Sequence, residues 1–282
     1  MAISTVSDIS GYFNSIYQDA LFVARETNVM TGLVTPYSAR GWMNRVISTY
    51  PTITAESVSE GVDYANATTF NKSTLSTLTP GEIITQVILT DRRIETDPDD
   101  ARRDAVTEMG NAIATKIDTD IASAFSSFST DVGPGAGQAA TLAKFAVAQS
   151  VLRNNKAPNP LYAVLHPYAW HDIWVELGQP ATNKALLGDV ANRALQDFFV
   201  GGWLNMQWFV NANIAPDGSD DVINGVFNPQ ALAFDTRKAP MMEPERDASL
   251  RAWELNFSAG YAYGVRRTTF GVKYTCDAST PS

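Results

Sequence analysis

The sequence predicts an α+β fold, and three features carry this prediction. A long, capped helix begins at Asp97-Pro98 and extends to about Phe125. A strand-rich segment, Leu250–Tyr274, closes the chain. Residues 139–224, between these two parts, alternate helix and strand patterns. Because the long helix and the closing strands have to pack together, we expect the middle unit to be an insertion within one domain.

Composition is that of a globular protein. The chain has 282 residues, of which 45% are hydrophobic and 18% are charged, so it can bury a sizeable core. Its net charge of -9 disfavours strong binding to phosphate backbones, although it does not exclude a container wall that faces DNA. The single cysteine, Cys276, excludes an internal disulfide framework.

The N-terminal region, residues 1–45, is predicted to be an arm. Its start has no basic stretch followed by an apolar run, so no signal peptide is expected, and no segment of the chain approaches the ~20 apolar residues of a membrane span. A short helix is predicted from apolar residues at helical spacing, which are Ile9, Phe13, Ile16, Tyr17, Ala20 and Leu21. Its narrow apolar stripe fits docking on a neighbouring molecule or packing on its own domain.

Residues 46–95 are predicted to form a long two-stranded hairpin. Glu82–Ile94 is β-branched and follows the turn signal Thr79-Pro-Gly81, while Val58–Phe70 is a weaker strand. An isolated hairpin is marginally stable in water. We therefore expect it to lie on another copy of the chain, with two strands of an internal sheet as the alternative.

The long helix has a clear start and a continuous apolar stripe. Asp97 can cap it, Pro98 suits its first position, and Asp99 and Asp100 favour the positive end of its dipole. The stripe consists of Val106, Met109, Ile113, Ile117 and Ile121. The glycine-rich segment 131–137 follows as a linker.

The remaining elements are predicted in two groups. Residues 139–224 should contain helices Thr141–Asn154, Pro167–Leu177 and Lys184–Phe199, and strands Leu161–Leu165 and Met206–Val210. The strands that follow are Val222–Phe227, Ala231–Phe234, Leu250–Phe257 and Ala262–Tyr274. The second group should pack on the long helix.

No residue pattern in the chain favours catalysis. His166 and His171 are five apart, which places them off one helical face, and no cysteine lies near them. Carboxylates at 99, 100 and 104 are explained by a helix first turn. The glycines of segment 133–137 lack the Lys-Ser/Thr ending of a phosphate-binding loop. We therefore predict no catalytic residue, no metal site, no cofactor and no enzymatic activity.

The order of elements resembles the major capsid protein of tailed bacteriophages, whose fold also appears in encapsulin shells. The closest local likenesses are Ala163-Val-Leu-His-Pro167, where a strand enters a helix, and Leu255–Tyr274, which ends in Tyr263–Val272. The resemblance implies five segments: an N-terminal arm (1–45), an extended hairpin or E-loop (46–95), a peripheral domain with the long spine helix (96–138), an inserted axial domain (139–224) and the closing strands of the peripheral domain (225–282).

The resemblance also implies a function. Homo-hexamers and pentamers would close into an icosahedral virion shell around double-stranded DNA, with assembly in the host bacterial cytoplasm and no membrane. A portal protein is an expected partner, and a separate scaffolding or decoration protein is a further candidate. Because no charged helical extension precedes the arm, we expect a separate scaffolding protein or none. Lys72 lies in the hairpin of a fold that sometimes crosslinks through Lys and Asn, but nothing establishes such a bond here. The alternatives are an encapsulin-like nanocompartment and, more distantly, a soluble α/β hydrolytic enzyme.

Candidate contact residues between subunits follow from aromatic content and paired charges. They are Phe13, Tyr17, Trp42, Tyr64, Phe70, Arg92, Arg93, Trp203, Glu243, Arg246, Asp247, Arg266 and Arg267. We hypothesise that some of the paired arginines bridge carboxylates of segment 243–247 in a neighbouring subunit. The alternative is that these arginines are solvated surface charges.

Overall fold

The computed structural model describes residues 29–64, 69–96, 100–178 and 202–281. Four helices lie in these ranges: α1 (Asp91–Thr96), α2 (Asp100–Ser123), α3 (Leu142–Asn154) and α4 (Pro167–Gly178). The first seven strands are β1 (Thr35–Ser38), β2 (Arg45–Thr49), β3 (Ser73–Leu78), β4 (Gly81–Thr90), β5 (Tyr162–Leu165), β6 (Gly202–Trp203) and β7 (Met206–Val210). The last four are β8 (Asp221–Phe227), β9 (Leu232–Asp247), β10 (Ala252–Val265) and β11 (Gly271–Asp277).

Strands β1, β9, β10 and β4 form a four-stranded sheet in that order. Strands β9 and β10 are a long antiparallel pair whose register begins at Ala252 opposite Asp247. Strand β4 runs antiparallel to β10, with Tyr261 opposite Gly81 and Ala252 opposite Thr90. Strand β1 is parallel to β9. Strand β4 therefore lies at the edge of this sheet.

The predicted partner of β4 is wrong. The strand expected at Glu82–Ile94 pairs with β10, more than 160 residues downstream, because Ile83, Val87 and Leu89 alternate inward and pack into the main core. The expected strand at Val58–Phe70 is also wrong, since its described residues carry no strand. The hairpin of the structure is β2 with β3, in which Thr49 lies opposite Ser73.

Strands β11, β8, β5, β7 and β6 form a five-stranded mixed sheet. Here β5 is parallel to β7 and antiparallel to β8, and β11 is antiparallel to β8. The closing strands are thus divided between two sheets, which the single predicted group did not anticipate. The boundary within them was also wrong, because Ser258-Ala-Gly260 continues β10 through small residues and a register shift rather than ending it.

The long helix and its apolar stripe are confirmed. Helix α2 continues into a 3₁₀ turn at Ala124–Ser127, and all five predicted stripe residues are buried. Strand β4 ends at Thr90, and the short helix α1 occupies the positions where the predicted strand continued. The cap residues at 97–99, the arm helix and the helix predicted at 184–199 lie outside the described residues. None of the helices in the described ranges is long and apolar enough to cross a bilayer.

The two sheets share one core near the end of α2. Phe125 and Phe128 contact Phe227 of the five-stranded sheet, with ring centroids 5.5 and 6.4 Å apart. The Phe125 ring lies over Gly225, where an added Cβ would sit 2.6 Å from it. Glycine at that position therefore allows the long helix to approach the second sheet closely.

Candidate functional site

The hairpin β2–β3 is attached to the sheet only at its base. Ile47 and Leu78 are buried there against Ala233 and Ala262 of strands β9 and β10. Beyond this base, the described positions among residues 50–72 form no strand or helix. Residues 60–61 form a turn. The hairpin is therefore a structured stem that continues into an extended segment without a core of its own.

Exposed apolar side chains are concentrated in residues 42–88. Of the eighteen large hydrophobic side chains that are exposed within the described ranges, twelve lie in this part of the chain. They are Trp42, Met43, Val46, Tyr50, Ile53, Val58, Val62, Tyr64, Phe70, Leu75, Ile84 and Ile88. A soluble monomer rarely exposes so many apolar groups in one region, so this surface, the hairpin surface, has the character of an interaction site.

Aromatic rings define the stem of the hairpin surface. Tyr50 and Phe70 stack with ring centroids 4.6 Å apart and planes 4° from parallel, although each is more than half exposed. Trp42 lies at the other end of the stem, close to Gly260 of β10. A Cβ added at Gly260 would lie 2.6 Å from the Trp42 ring. Trp42, Tyr64 and Phe70, selected from the sequence as candidate contacts between subunits, are all exposed, and their role as contacts stays a prediction.

The outer face of edge strand β4 extends the apolar surface. Ile84 and Ile88 point outward, with Gln86 between them. Gln86 Nε2 donates a hydrogen bond of 3.1 Å to Glu254 Oε2 on β10. The outward edge therefore combines two exposed isoleucines with a strand that pairs on one side only among the described strands.

The predicted carboxylate acceptors have partners within the chain. Glu243 lies 3.5 Å from Lys238 Nζ. Asp247 accepts hydrogen bonds from the Ser249 hydroxyl and from the Leu250 backbone N–H, which lower its pKa in that order. Both carboxylates therefore already have polar contacts before any neighbouring subunit is considered.

Arg246 is also engaged within its own chain. Its Nη2 donates to Asp91 Oδ2 at 2.7 Å and its Nη1 donates to the Ala252 carbonyl at 2.8 Å. The same guanidinium lies 5.5 Å from the centroid of the Trp253 ring. These contacts fasten the tip of the β9–β10 pair to helix α1.

The paired arginines do not form one cluster. Arg92 and Arg93 are exposed on helix α1, next to the end of β4. Arg266 and Arg267 follow β10 at its other end, where both backbone N–H groups donate to the Ala231 carbonyl. The Arg267 guanidinium also lies 4.5 Å from the Phe270 ring centroid.

Three candidate residues have no described side chain. Phe13 and Tyr17 lie outside the described residues. Trp203 is placed by its backbone in β6, opposite Met206, and only its backbone is described. Their assignment as contact residues stays a prediction.

Groups with catalytic potential are buried or dispersed. His166 is buried at the turn from β5 into α4, where its Nδ1 accepts the Tyr168 N–H at 3.3 Å and burial lowers its pKa. Cys276 is fully buried, which raises the pKa of its thiol to about 12. Within the described ranges, no group of three or more His, Cys, Asp and Glu residues could hold a metal ion.

Sequence reasoning missed most of the hairpin surface and the buried carboxylates of the fold. Met43, Ile53 and Val62 were not selected because single apolar residues among Thr and Ser give no periodic pattern. Their signal was compositional: residues 50–72 contain isolated apolar residues without an apolar partner at strand or helix spacing. Asp118 and Asp235 are fully buried, which no local pattern indicates.

Comparison with known proteins identifies the family. The family model described as "Phage capsid protein" matches residues 76–274, more than half of the chain. No curated protein matches the chain.

Solved structures share the fold. The chain is similar to a structure of Mycobacterium phage Che8 (TM-score 0.70, 18% identity, covering 88% of this chain and 90% of that chain) and to the capsid of cyanophage P-SCSP1u (0.70, 14%, 88% and 87%). It also resembles a virus-like particle from Pyrococcus furiosus (0.56, 10%, 93% and 99%). A structural protein with the phage capsid fold thus accounts for an exposed apolar hairpin surface, and the chain belongs to the phage capsid protein family.

Proposed function

We propose that copies of this chain assemble as hexamers and pentamers into an icosahedral head that encloses double-stranded DNA. The hairpin surface is the observation that carries the proposal, because its apolar side chains are exposed and no other part of the described ranges covers them. Each 100 Å² of apolar surface removed from water contributes about 2.5 kcal/mol. In a closed shell, this free energy of burial is contributed by every copy of the chain.

In this proposal the hairpin of one copy lies over a neighbouring copy. The stem is held by its own sheet, whereas residues 50–72 project without a core, which suits them to cover a second molecule. The arm, residues 1–45, reaches another copy, and the unit at 139–224 faces the axis of the hexamer or pentamer.

Further partners follow from the same reading. A portal protein and a separate scaffolding or decoration protein complete the head, which assembles in the bacterial cytoplasm. The packaged DNA is held without sequence specificity, and the net charge of -9 supports a shell wall that does not bind it strongly.

An encapsulin-like compartment remains the second candidate, favoured by the likeness to the Pyrococcus furiosus virus-like particle. The ratio of ultraviolet absorbance at 260 and 280 nm in purified particles separates DNA from protein cargo.

Removal of the projecting segment tests this function. Because Thr49 lies opposite Ser73, residues 50–72 can be replaced by a two-residue Asn-Gly turn that closes β2 and β3 as a short hairpin. We expect the shortened subunit to keep its far-ultraviolet circular dichroism and its thermal midpoint, because none of the described residues in the removed segment is buried. We expect it to form no shells.

Point variants make the test specific. The double variant Tyr50→Ser, Phe70→Ser removes the stacked pair from the hairpin surface, and Val147→Ser removes one exposed apolar side chain from helix α3 as a control. Electron microscopy should show shells for the control and fewer or none for the double variant. Normal shells from the chain lacking residues 50–72 would contradict the proposed role of the hairpin.

A further inference from the structure

A buried carboxylate holds two arginines at the base of the hairpin. Asp235, on β9, has no exposed surface. Its Oδ2 accepts a hydrogen bond from Arg45 Nε at 2.7 Å, and its Oδ1 accepts one from Arg45 Nη2 at 3.3 Å. Arg237 Nη2 forms an ion pair with the same Oδ2 at 2.7 Å. Arg45 is the first residue of β2, and the Arg237 side chain is only 5% exposed. We call these three residues the Asp235 clamp.

The arginines of the Asp235 clamp also donate hydrogen bonds to the turn that leads into the hairpin. Arg45 Nη2 donates to the Ser38 carbonyl at 3.3 Å, and Arg237 Nη1 donates to the Gly41 carbonyl at 3.3 Å. Gly41 has a φ of 81°, which glycine adopts without steric cost. The end of β1 and the middle of the turn before β2 are therefore connected, through the two arginines, to one buried carboxylate.

The Arg45 side chain has a defined orientation. Its guanidinium lies 4.8 Å from the centroid of the Tyr37 ring, and two of its nitrogens contact the same carboxylate. A planar guanidinium that is stacked on a ring and held by two bonds can occupy few orientations. Because Arg45 begins β2, a fixed guanidinium constrains the direction of the whole strand.

Stability alone is a weak reason for this arrangement. Burying ion pairs costs desolvation that often equals their attraction, and apolar residues of similar volume would hold the hairpin base as well. Charged groups differ from apolar ones in their directional hydrogen bonds. The direction of the stem is the property that a buried, three-residue ionic contact defines and an apolar contact does not.

We propose that the Asp235 clamp is a positioning device that fixes the angle at which the hairpin leaves the four-stranded sheet. The consequence for a shell rests on the proposed function, since the hairpin angle would then set the angle between neighbouring copies. Asp235 and the two arginines touch no second subunit in this account. They act through the direction of β2 and β3.

Spin-label distances measure this angle directly. Cysteines are placed at exposed positions Thr74 in strand β3 of the hairpin stem and Glu108 on helix α2, and both are labelled. The natural cysteine, Cys276, is buried and stays unlabelled. Doubly labelled chain is diluted into unlabelled chain, so each distance is measured within one molecule whether or not the chains assemble.

We expect a single narrow distance peak for the otherwise natural chain and its loss to a broad or shifted distribution in Arg45→Met. Lys238→Met is the matched control, because Lys238 lies on the same strand as Asp235 but its side chain makes no hydrogen bond or ion pair with the clamp residues. Its ion pairs, at 3.4 and 3.5 Å, are with the exposed carboxylates of Glu82 and Glu243, and it donates a hydrogen bond of 3.0 Å to Ser258 Oγ. That control should keep the narrow peak. Arg45→Gln, which retains one amide donor, serves if Arg45→Met does not fold.

The outcomes separate a positioning role from a stabilising one. If the clamp only stabilised the fold, Arg45→Met would lower the thermal midpoint and leave the distance peak unchanged, and the proposal would be overturned. Equal broadening in Lys238→Met would also overturn it. Failure of shell assembly in the natural chain would count against the proposed function but would leave this distance measurement intact.

Discussion

The hydroxyl of Tyr261 donates a hydrogen bond of 2.6 Å to Asp120 Oδ2, which joins strand β10 to helix α2. Tyr261 is buried, and Asp120 also accepts Lys116 Nζ at 2.7 Å one turn along the same helix. Burial, and then the contact with Asp120, raise the pKa of Tyr261 well above its ordinary value. The Tyr261 hydroxyl is therefore protonated and acts as the donor at neutral pH.

Tyr261→Phe should destabilise the subunit by about 1–3 kcal/mol, because it removes a hydrogen bond to a charged group that is partly buried. Urea denaturation of the unassembled subunit measures the change. Tyr263→Phe is the control, since the Tyr263 hydroxyl makes no hydrogen bond to the described residues and its ring lies next to that of Tyr261. Equal losses in both variants would contradict the assigned contact.

Asp118 should give the subunit a pH-dependent stability. Its buried carboxylate accepts the N–H groups of Val29 and Met30 and the amide of Asn213, so it joins three distant segments. Desolvation outweighs these bonds and raises its pKa above the ordinary aspartate value. Between that value and the raised one, the folded state binds more protons than the unfolded state, so its free energy of unfolding falls as pH rises.

The test is the difference in urea midpoint between the natural chain and Asp118→Asn across that pH window. The difference should move in favour of the natural chain as pH falls, since the variant has no carboxylate to protonate. A difference that is independent of pH would contradict the raised pKa. Chemical shifts of the Asp118 carboxyl provide a direct check.

Gly133→Ala should be destabilising because no space exists for a side chain. A Cβ at that position would lie 2.1 Å from the Thr275 carbonyl oxygen on β11. Because this oxygen belongs to the backbone of a paired strand, it cannot rotate away as the end of a flexible side chain can. We expect a loss of about 1–3 kcal/mol. Gly218→Ala, at an open position without a positive φ, should stay near the thermal midpoint of the natural chain. Equal midpoints for the two variants would show that the loop at Gly133 is not held against β11.

Charge reversal at Arg92 and Arg93 tests the proposed bridges between subunits. Both residues are exposed, so each ion pair contributes about 0–1 kcal/mol, although a shell repeats it in every copy. The double variant Arg92→Glu, Arg93→Glu should reduce the yield of shells and should make that yield less dependent on salt concentration. Lys144→Glu with Arg153→Glu, both exposed on helix α3, is the control with the same change in net charge. Unchanged yield and salt dependence in the Arg92, Arg93 variant would leave these arginines as solvated surface charges.

The sequence predicted the long helix well because its information is local. The five stripe residues from Val106 to Ile121 repeat at helical spacing, and all are buried. Helix α3, helix α4 and strand β7 are likewise close to their predicted bounds. In each of these elements, the spacing of apolar residues and the residues that begin or end the element lie within or directly beside it in the sequence.

Pairing partners could not be read from the same signals. The alternation of β4 indicates a strand, but its pairing with β10 depends on residues more than 160 positions away. The Asp235 clamp is similar, because Arg45 and Asp235 become partners only after β1, β2 and β9 have come together. The hairpin surface could be anticipated at Trp42, Tyr64 and Phe70, yet its isolated valines and isoleucines depend on the absence of packing partners in space.

Electron microscopy of the purified chain, expressed alone and together with the structural proteins encoded beside it, tests the central claim most directly. Assembly through the hairpin surface predicts closed icosahedral particles in at least one of the two preparations, with residues 50–72 of each copy in contact with a neighbouring copy. A 30.6 kDa monomer in both preparations, folded by circular dichroism, would contradict it.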